Sequence, residues 1–187
     1  MRKLQTMPEF LRFTAPDPEA LAHKILDLRE QLTQARQSAA ADETMLDVVA
    51  DLAGLLTTAR QEAEALQLLR AHEARAEALN QVDGAAAHEV LGWFWCAYAT
   101  ALQCLGQRTE AEPIFARTVA QCQAAGWGRL QAMVLQHWGR SLAEQGRFDE
   151  AELRITEALA LCVQLQDPRQ ETSRQALDLL TQWRGAA

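Results

Sequence analysis

The sequence is poor in lysine, in positive charge and in long apolar runs. Its only lysines are Lys3 and Lys24, and 18 Lys plus Arg against 25 Asp plus Glu leave a formal charge of −7. Binding to a nucleic-acid backbone needs a basic face, so this charge argues against nucleic acid as a partner. No stretch approaches the roughly 20 apolar residues that cross a bilayer, and Pro8 and Glu9 interrupt the N-terminus before a signal peptide develops. We therefore expect a soluble, cytoplasmic protein with no membrane partner.

Motifs of enzymes and of metal sites are also missing from the sequence. It contains no Gly-rich phosphate loop, no Gly-x-Ser-x-Gly elbow and no His-Glu-x-x-His pair. None of the four histidines has another histidine or a cysteine three or four residues away, so no metal site is predicted. Carboxylates such as Asp149 and Glu150 fall in predicted first helical turns, where they favour the positive end of the helix dipole. We predict a protein that is not an enzyme, has no cofactor and keeps its cysteines as reduced thiols.

Helix-forming residues dominate what remains. Only five of the 187 residues are proline, while Ala, Leu, Gln, Arg and Glu are abundant and apolar residues recur at intervals of three and four. Asp17 and Pro18 supply a capping carboxylate and a first-turn proline. They precede one apolar stripe, formed by Leu21, Ile25, Leu28 and Leu32. The sequence predicts an all-α fold, with a single helical domain over residues 17–187 and a segment 1–16 that is a candidate for disorder.

A period of 40 residues runs through the second half of the chain. Residues 106–111, Gly-Gln-Arg-Thr-Glu-Ala, superpose on residues 146–151, Gly-Arg-Phe-Asp-Glu-Ala, and the flanking positions continue the match, from Tyr98 with Trp138 to Cys122 with Cys162. A fainter third copy lies upstream at a shift of 46, because the spacing of Leu52, Leu56, Ala65 and Leu69 follows the same pattern. The repeats are predicted at about residues 45–82, 88–126 and 128–167.

These residues resemble the tetratricopeptide repeat (TPR) family in its 40-residue form with a longer second helix. In the family each unit is a pair of helices with a glycine at the turn, which Gly106 and Gly146 supply, and with small residues where the helices cross, which include Gly139. The first repeat departs from this pattern, because Arg60 stands where the turn glycine is expected. The resemblance implies a right-handed α-solenoid of antiparallel helix pairs. It also implies an extra N-terminal helix and a C-terminal capping helix over residues 168–184.

The resemblance also implies a binding surface. The family lines its concave groove with the second, fifth, ninth, twelfth and thirteenth residues of each first helix. Carried onto this sequence, these positions predict the partner-binding residues Trp93, Cys96, Thr100, Gln103, Met133, Gln136, Arg140 and Glu144. Trp93 and Met133 would act as apolar anchors, and Arg140 would pair with a carboxylate of the ligand.

The predicted function is a non-catalytic, TPR-like protein–protein interaction module, an adaptor or regulator that binds a peptide or protein segment in its concave groove. An alternative is a homo-oligomerising structural module with no separate ligand, in which Trp93 packs against a second copy. The weakest alternative is an enzyme with an unrecognised site.

Trp95, Trp138 and Trp183 lie on apolar stripes and are predicted to be buried in the core.

Overall fold

The structure is a computed structural model of the chain, and it describes residues 10–83 and 88–186. Over these residues it contains nine helices and no strand, which confirms the predicted all-α class. None of the described helices is both long enough and apolar enough to cross a bilayer. The helices are α1 (Pro18–Gln37), α2 (Asp42–Thr58), α3 (Glu62–Arg70), α4 (Glu73–Asp83), α5 (Glu89–Cys104), α6 (Arg108–Ala125), α7 (Gly128–Glu144), α8 (Phe148–Gln164) and α9 (Gln170–Ala186).

The described residues divide into two compact units. The N-terminal unit consists of residues 13–126, apart from 84–87, and contains α1 to α6. The C-terminal unit consists of residues 127–186 with α7 to α9, together with residues 10–12 from the start of the chain. A single domain over residues 17–187 stays a prediction. Of the segment predicted as a candidate for disorder, residues 1–9 lie outside the described residues.

The N-terminal unit begins with the helix that the sequence predicted at Asp17. The Asp17 carboxylate accepts a hydrogen bond from the Ala20 backbone N–H at 3.0 Å, and Pro18 occupies the first turn. Both features stabilise a helix start. Ile25 and Leu32 of the predicted stripe are buried. Helix α1 packs on α2, and α2 in turn packs on α3 and α5.

The first predicted repeat differs from the other two in its second helix. Where the resemblance implies one helix, the chain forms α3, which ends at Arg70, and α4, which begins at Glu73. His72 lies in this break, buried, with Nδ1 2.9 Å from the Leu68 carbonyl oxygen. The shift of 46 exceeds the period of 40 by six residues, which the alignment of the repeats places in residues 81–88; of these, 84–87 lie outside the described residues.

The 40-residue period of the sequence is also present in the structure. Residues 94–111 and residues 134–151 show the same succession of buried, half-buried and exposed side chains. Gly106 and Gly146 both adopt the left-handed conformation, with φ of 79° and 74°. In each case the backbone N–H of the third residue after the helix donates to a carbonyl oxygen five residues earlier, Gln107 to Leu102 and Arg147 to Leu142. This arrangement closes the end of a helix in the manner of a Schellman motif.

Arg60 takes the conformation that glycine has in the other two turns. Its φ is 64°, and the Gln61 backbone N–H bonds to the Leu56 carbonyl at 2.8 Å, the same closure that follows α5 and α7. A side chain in this region of backbone conformation costs about 1 kcal/mol. The first turn is therefore equivalent to the others in backbone geometry although its sequence lacks the glycine.

Substitution by alanine should have opposite effects on the free energy of unfolding at Gly146 and at Gly54. At Gly146, with φ of 74°, an added Cβ would meet no atom within 4 Å, so the change costs only backbone strain, about 1 kcal/mol of unfolding free energy. Gly54 lies inside α2, also with nothing within 4 Å, and Gly54→Ala should stabilise the protein by about 0.5 to 1 kcal/mol. Urea unfolding followed by circular dichroism measures both changes. Changes in unfolding free energy of the same sign at the two sites would contradict the left-handed conformation of Gly146 in the turn after α7.

In the C-terminal unit, α7 packs on α8 and α8 packs on α9. The α7–α8 contact is close at Gly139, where an added Cβ would lie 2.6 Å from Cγ1 of Ile155. Gly139 therefore serves the close helix approach for which it was singled out in the sequence. Helix α9 runs to Ala186, two residues beyond the predicted end of the capping helix at residue 184. Gly185 therefore lies inside its last turn, where it is exposed.

Candidate functional site

The half-buried side chains of α5 form one stripe. From residue 91 to residue 104 every side chain is buried except those of Trp93, Ala97, Thr100 and Cys104. Their spacing of four, three and four places them on one face of the helix. We call these four residues the α5 stripe. The Thr100 hydroxyl donates to the Cys96 carbonyl at 2.7 Å, so its side chain folds back onto its own helix.

Helix α7 carries an equivalent stripe 40 residues later. From residue 132 to residue 144 every side chain is buried except those of Met133, His137, Arg140 and Glu144, which we call the α7 stripe. The two stripes occupy identical positions in the repeat, with Trp93 matched by Met133 and Thr100 matched by Arg140. Each unit thus presents an apolar side chain and a polar side chain on one helical face.

Five of the eight residues predicted to bind a partner belong to these stripes, and three do not. Trp93 and Thr100 lie in the α5 stripe, and Met133, Arg140 and Glu144 lie in the α7 stripe. The other three, Cys96, Gln103 and Gln136, are buried. The remaining stripe members are Cys104, which stands at the thirteenth position of the family register, and Ala97 and His137, which that register does not assign. Partner binding by all of these residues stays a prediction.

Gln136 is engaged inside the C-terminal unit. Its Nε2 donates to the Ser173 hydroxyl at 2.5 Å and to the Arg169 carbonyl at 3.3 Å. Ser173 is itself fully buried. Gln136 therefore links α7 to α9 by hydrogen bonds. For Gln136 to contact a ligand, α9 would have to move.

Asp167 holds the start of α9. Its buried carboxylate accepts hydrogen bonds from Nη2 (2.6 Å), Nε (2.9 Å) and the backbone N–H (2.9 Å) of Arg169. The guanidinium also donates to the Arg129 carbonyl in α7 at 3.0 Å. These hydrogen bonds hold the pKa of the Asp167 carboxyl well below its usual value. The carboxylate stays ionised and fixes α9 relative to the beginning of α7.

The C-terminal unit also contains an aromatic contact that the sequence did not predict. Phe10 is fully buried, and its ring meets the Trp183 ring edge-on, with centroids 4.9 Å apart and planes at 84°. The Phe10 backbone N–H donates to Oε1 of Glu144 at 3.2 Å. Trp183, predicted to be buried, is half-buried and packs on this residue. A predicted partner-binding residue, Glu144, therefore already holds a segment of the same chain.

The electrostatics of the α7 stripe come from Arg140 and Glu144. Desolvation of the half-buried His137 imidazole, together with the charges of the neighbouring Arg140 and Arg169, lowers its pKa to about 3. The imidazole is therefore neutral at physiological pH. The stripe presents one guanidinium and one carboxylate separated by a single helical turn, beside the apolar Met133.

Two other tryptophans are core residues, as predicted. Trp95 and Trp138 are buried. Guanidinium groups cover their rings, Arg117 at 4.4 Å from the Trp95 centroid and Arg154 at 4.2 Å from the Trp138 centroid. Such cation–π contacts stabilise the packing of α6 on α5 and of α8 on α7.

The cysteines have the surroundings of packing residues. All four are free thiols, and three of them are buried. Burial raises the pKa of the Cys122 thiol to about 12 and also raises the pKa of Cys162. A thiol that stays protonated is a poor nucleophile. In the described part of the chain, no group of three or more His, Cys, Asp or Glu side chains is arranged to hold a metal ion.

Fold and site together define an all-α protein with a structural period of 40 residues and an accessible stripe on each of two equivalent helices. Among solved structures, the chain is similar to BtubC (BKLC) from P. vanneervenii, with a TM-score of 0.69 and 18% sequence identity. The match covers 88% of this chain and 67% of that one. At this identity the likeness concerns the fold alone. No protein-family model matches the chain, and no curated protein matches it significantly.

Proposed function

We propose that this chain is a TPR-like helical repeat protein that binds a peptide or protein segment and acts as an adaptor or regulator, without catalysing a reaction. Its helices would be antiparallel pairs stacked into a right-handed solenoid. The observation that carries the proposal is the repetition of one accessible stripe at the same positions of α5 and α7.

The stripe chemistry suits recognition of a segment with one or two apolar side chains. Trp93 and Met133 supply apolar surface, which contributes roughly 25 cal/mol for each Å² removed from water. Tryptophan is among the residues most often responsible for binding energy at interfaces. Arg140 favours a carboxylate of the ligand, and a planar guanidinium also fixes its orientation.

Selection from a random peptide library on the immobilised full-length chain tests the proposal. Enriched peptides should bind with one-to-one stoichiometry, and Trp93→Ala should raise the Kd at least tenfold, because a central tryptophan anchor is typically worth more than about 1.4 kcal/mol. Arg140→Ala should weaken only those peptides that carry a carboxylate. Leu153→Ala is the matched control, since Leu153 is an exposed apolar residue of α8 outside both stripes.

Two results would reject this function. One is a selection that enriches no peptide. The other is a set of peptides whose affinity is the same for the wild type, Trp93→Ala and Arg140→Ala. Light scattering on the same samples tests the self-association alternative, which requires a concentration-dependent dimer that Trp93→Ala converts to monomers.

A further inference from the structure

Residues 10–12, which we call the arm, belong to the C-terminal unit although they precede the whole N-terminal unit in sequence. The first helix begins only at Pro18, and most of the chain between the arm and this helix is exposed, with Phe13 63% accessible. The arm is therefore an irregular segment with one buried side chain, that of Phe10.

The arm is held by two kinds of contact. The Phe10 ring is fully buried and meets Trp183 of α9 edge-on, and the Phe10 backbone N–H donates to Glu144 of α7. Edge-to-face aromatic pairs are a favoured arrangement of two rings. A pocketed aromatic side chain combined with a main-chain hydrogen bond is also how many domains hold a short peptide segment. Phe10 thus makes the same kinds of contact within the C-terminal unit that a bound peptide makes in a recognition site.

The arm also carries a feature that favours its release. Leu11 has φ of 46°, in the left-handed region that a leucine rarely adopts. Such strain persists only while surrounding contacts hold it in place. Because the arm lies outside every described helix and the segment after it is mostly exposed, its release would not require a helix to unfold.

We propose that Glu144 and Trp183 form a recognition site for a segment with an aromatic side chain and a free backbone N–H, and that the arm occupies this site as an internal ligand. A partner segment of the same chemistry binds by displacing Phe10. This inference rests on the proposed function and specifies its partner. Because a tethered segment acts at an effective concentration on the order of millimolar, only a partner that binds much more tightly than the arm displaces it.

The probe for this site is a fluorescein-labelled peptide with the sequence of residues 5–15, Gln-Thr-Met-Pro-Glu-Phe-Leu-Arg-Phe-Thr-Ala. Fluorescence anisotropy should show that it binds the full-length Phe10→Ala variant at least tenfold more tightly than the wild type, in which the arm competes. The same peptide with alanine in place of its first phenylalanine should not bind. Trp183→Leu in the Phe10→Ala background should reduce the affinity several-fold.

Circular dichroism serves as the control that each variant keeps the helical signal of the wild type. Phe10→Leu, which retains an apolar side chain but loses the ring edge, replaces Phe10→Ala if that variant does not fold. Equal binding of the peptide to the wild type and the variant, or binding to neither, overturns the inference. If library peptides nevertheless bind through Trp93 and Arg140, the proposed function stands and only the internal ligand is rejected.

Discussion

Replacement of Gly139 by leucine should reduce the free energy of unfolding of the C-terminal unit by about 3 kcal/mol, because the packing of α7 on α8 leaves no space for a side chain at this position. A Cβ at residue 139 would lie 2.6 Å from Cγ1 of Ile155 and 3.3 Å from the Ala151 carbonyl oxygen. The Ile155 side chain can shift, but the backbone oxygen can do so only by separating α7 from α8. Urea unfolding followed by circular dichroism measures the change.

The control for this prediction is Gly54→Leu, since Gly54 lies in α2 with no atom within 4 Å of an added Cβ. That variant should keep or slightly raise the stability, because leucine is a better helix former than glycine. A second test combines Gly139→Ala with Ile155→Ala. Removing the isoleucine side chain should relieve the clash, so the two substitutions should cost less together than the sum of their separate effects. A Gly139→Leu variant as stable as the wild type would contradict the close packing of α7 on α8.

Asp167→Ala should lower the free energy of unfolding by about 3 kcal/mol at neutral pH, since it leaves the partly buried Arg169 guanidinium without its carboxylate. Three hydrogen bonds to Arg169 are lost with the side chain. Asp178→Ala, at an exposed position of the same helix, is the control and should change the stability by less than about 0.5 kcal/mol.

The same substitution should change the pH dependence of stability. The folded pKa of Asp167 is depressed, so its contribution is complete above the unfolded value, near 4, and is lost as the pH falls below it. The stability difference between the wild type and Asp167→Ala should therefore shrink between pH 5 and about pH 2. A difference that stays constant over this range would mean that Asp167 does not act through its charge.

Local chemistry made several features of the fold predictable from the sequence. The Asp17 cap depends on residues three positions apart, and the positive φ of Gly106 and Gly146 follows from the position of glycine at the end of an apolar stripe. The close approach at Gly139 was expected from the family resemblance, which implies small residues where helices cross, and the 40-residue period aligns Gly139 with Ala99, another small residue. These features need only short-range patterns, internal repetition or a family motif.

Arg60 shows where such patterns stop being sufficient. Its left-handed conformation opposes the preference of an arginine, and it is held by the surrounding turn, which closes through the Gln61–Leu56 hydrogen bond. In the sequence, only the alignment at a shift of 46 residues indicates that Arg60 occupies a turn position. No glycine or proline marks the break between α3 and α4 at residues 71–72; the departure from the family pattern there is His72, which stands where a small residue is expected.

The candidate site was predictable in part. Of the residues that the family register assigns to the groove, Trp93, Thr100, Met133, Arg140 and Glu144 are half-buried, whereas Cys96, Gln103 and Gln136 are buried. Partner binding by all eight stays a prediction. The Gln136 hydrogen bonds to α9 depend on a helix more than 30 residues away in sequence, which no local pattern encodes.

The Phe10 contact is the clearest example of this limit. It joins residues separated by 134 positions, so neither periodicity nor capping chemistry could reveal it. The one signal in the sequence is the presence of two phenylalanines, Phe10 and Phe13, in a segment that lacks a helical pattern. Apolar side chains in such a segment favour docking onto another part of the protein.

A nuclear magnetic resonance titration of the isotope-labelled full-length chain with a peptide from the library selection tests whether the α5 and α7 stripes contact the ligand. If they do, the Trp93 indole signal, assigned with a Trp93→Phe variant, and the backbone signals around Met133 and Arg140 should shift in proportion to the bound fraction. Shifts confined to exposed residues of α8, such as Leu153 and Val163, with Trp93, Met133 and Arg140 unchanged, would contradict it.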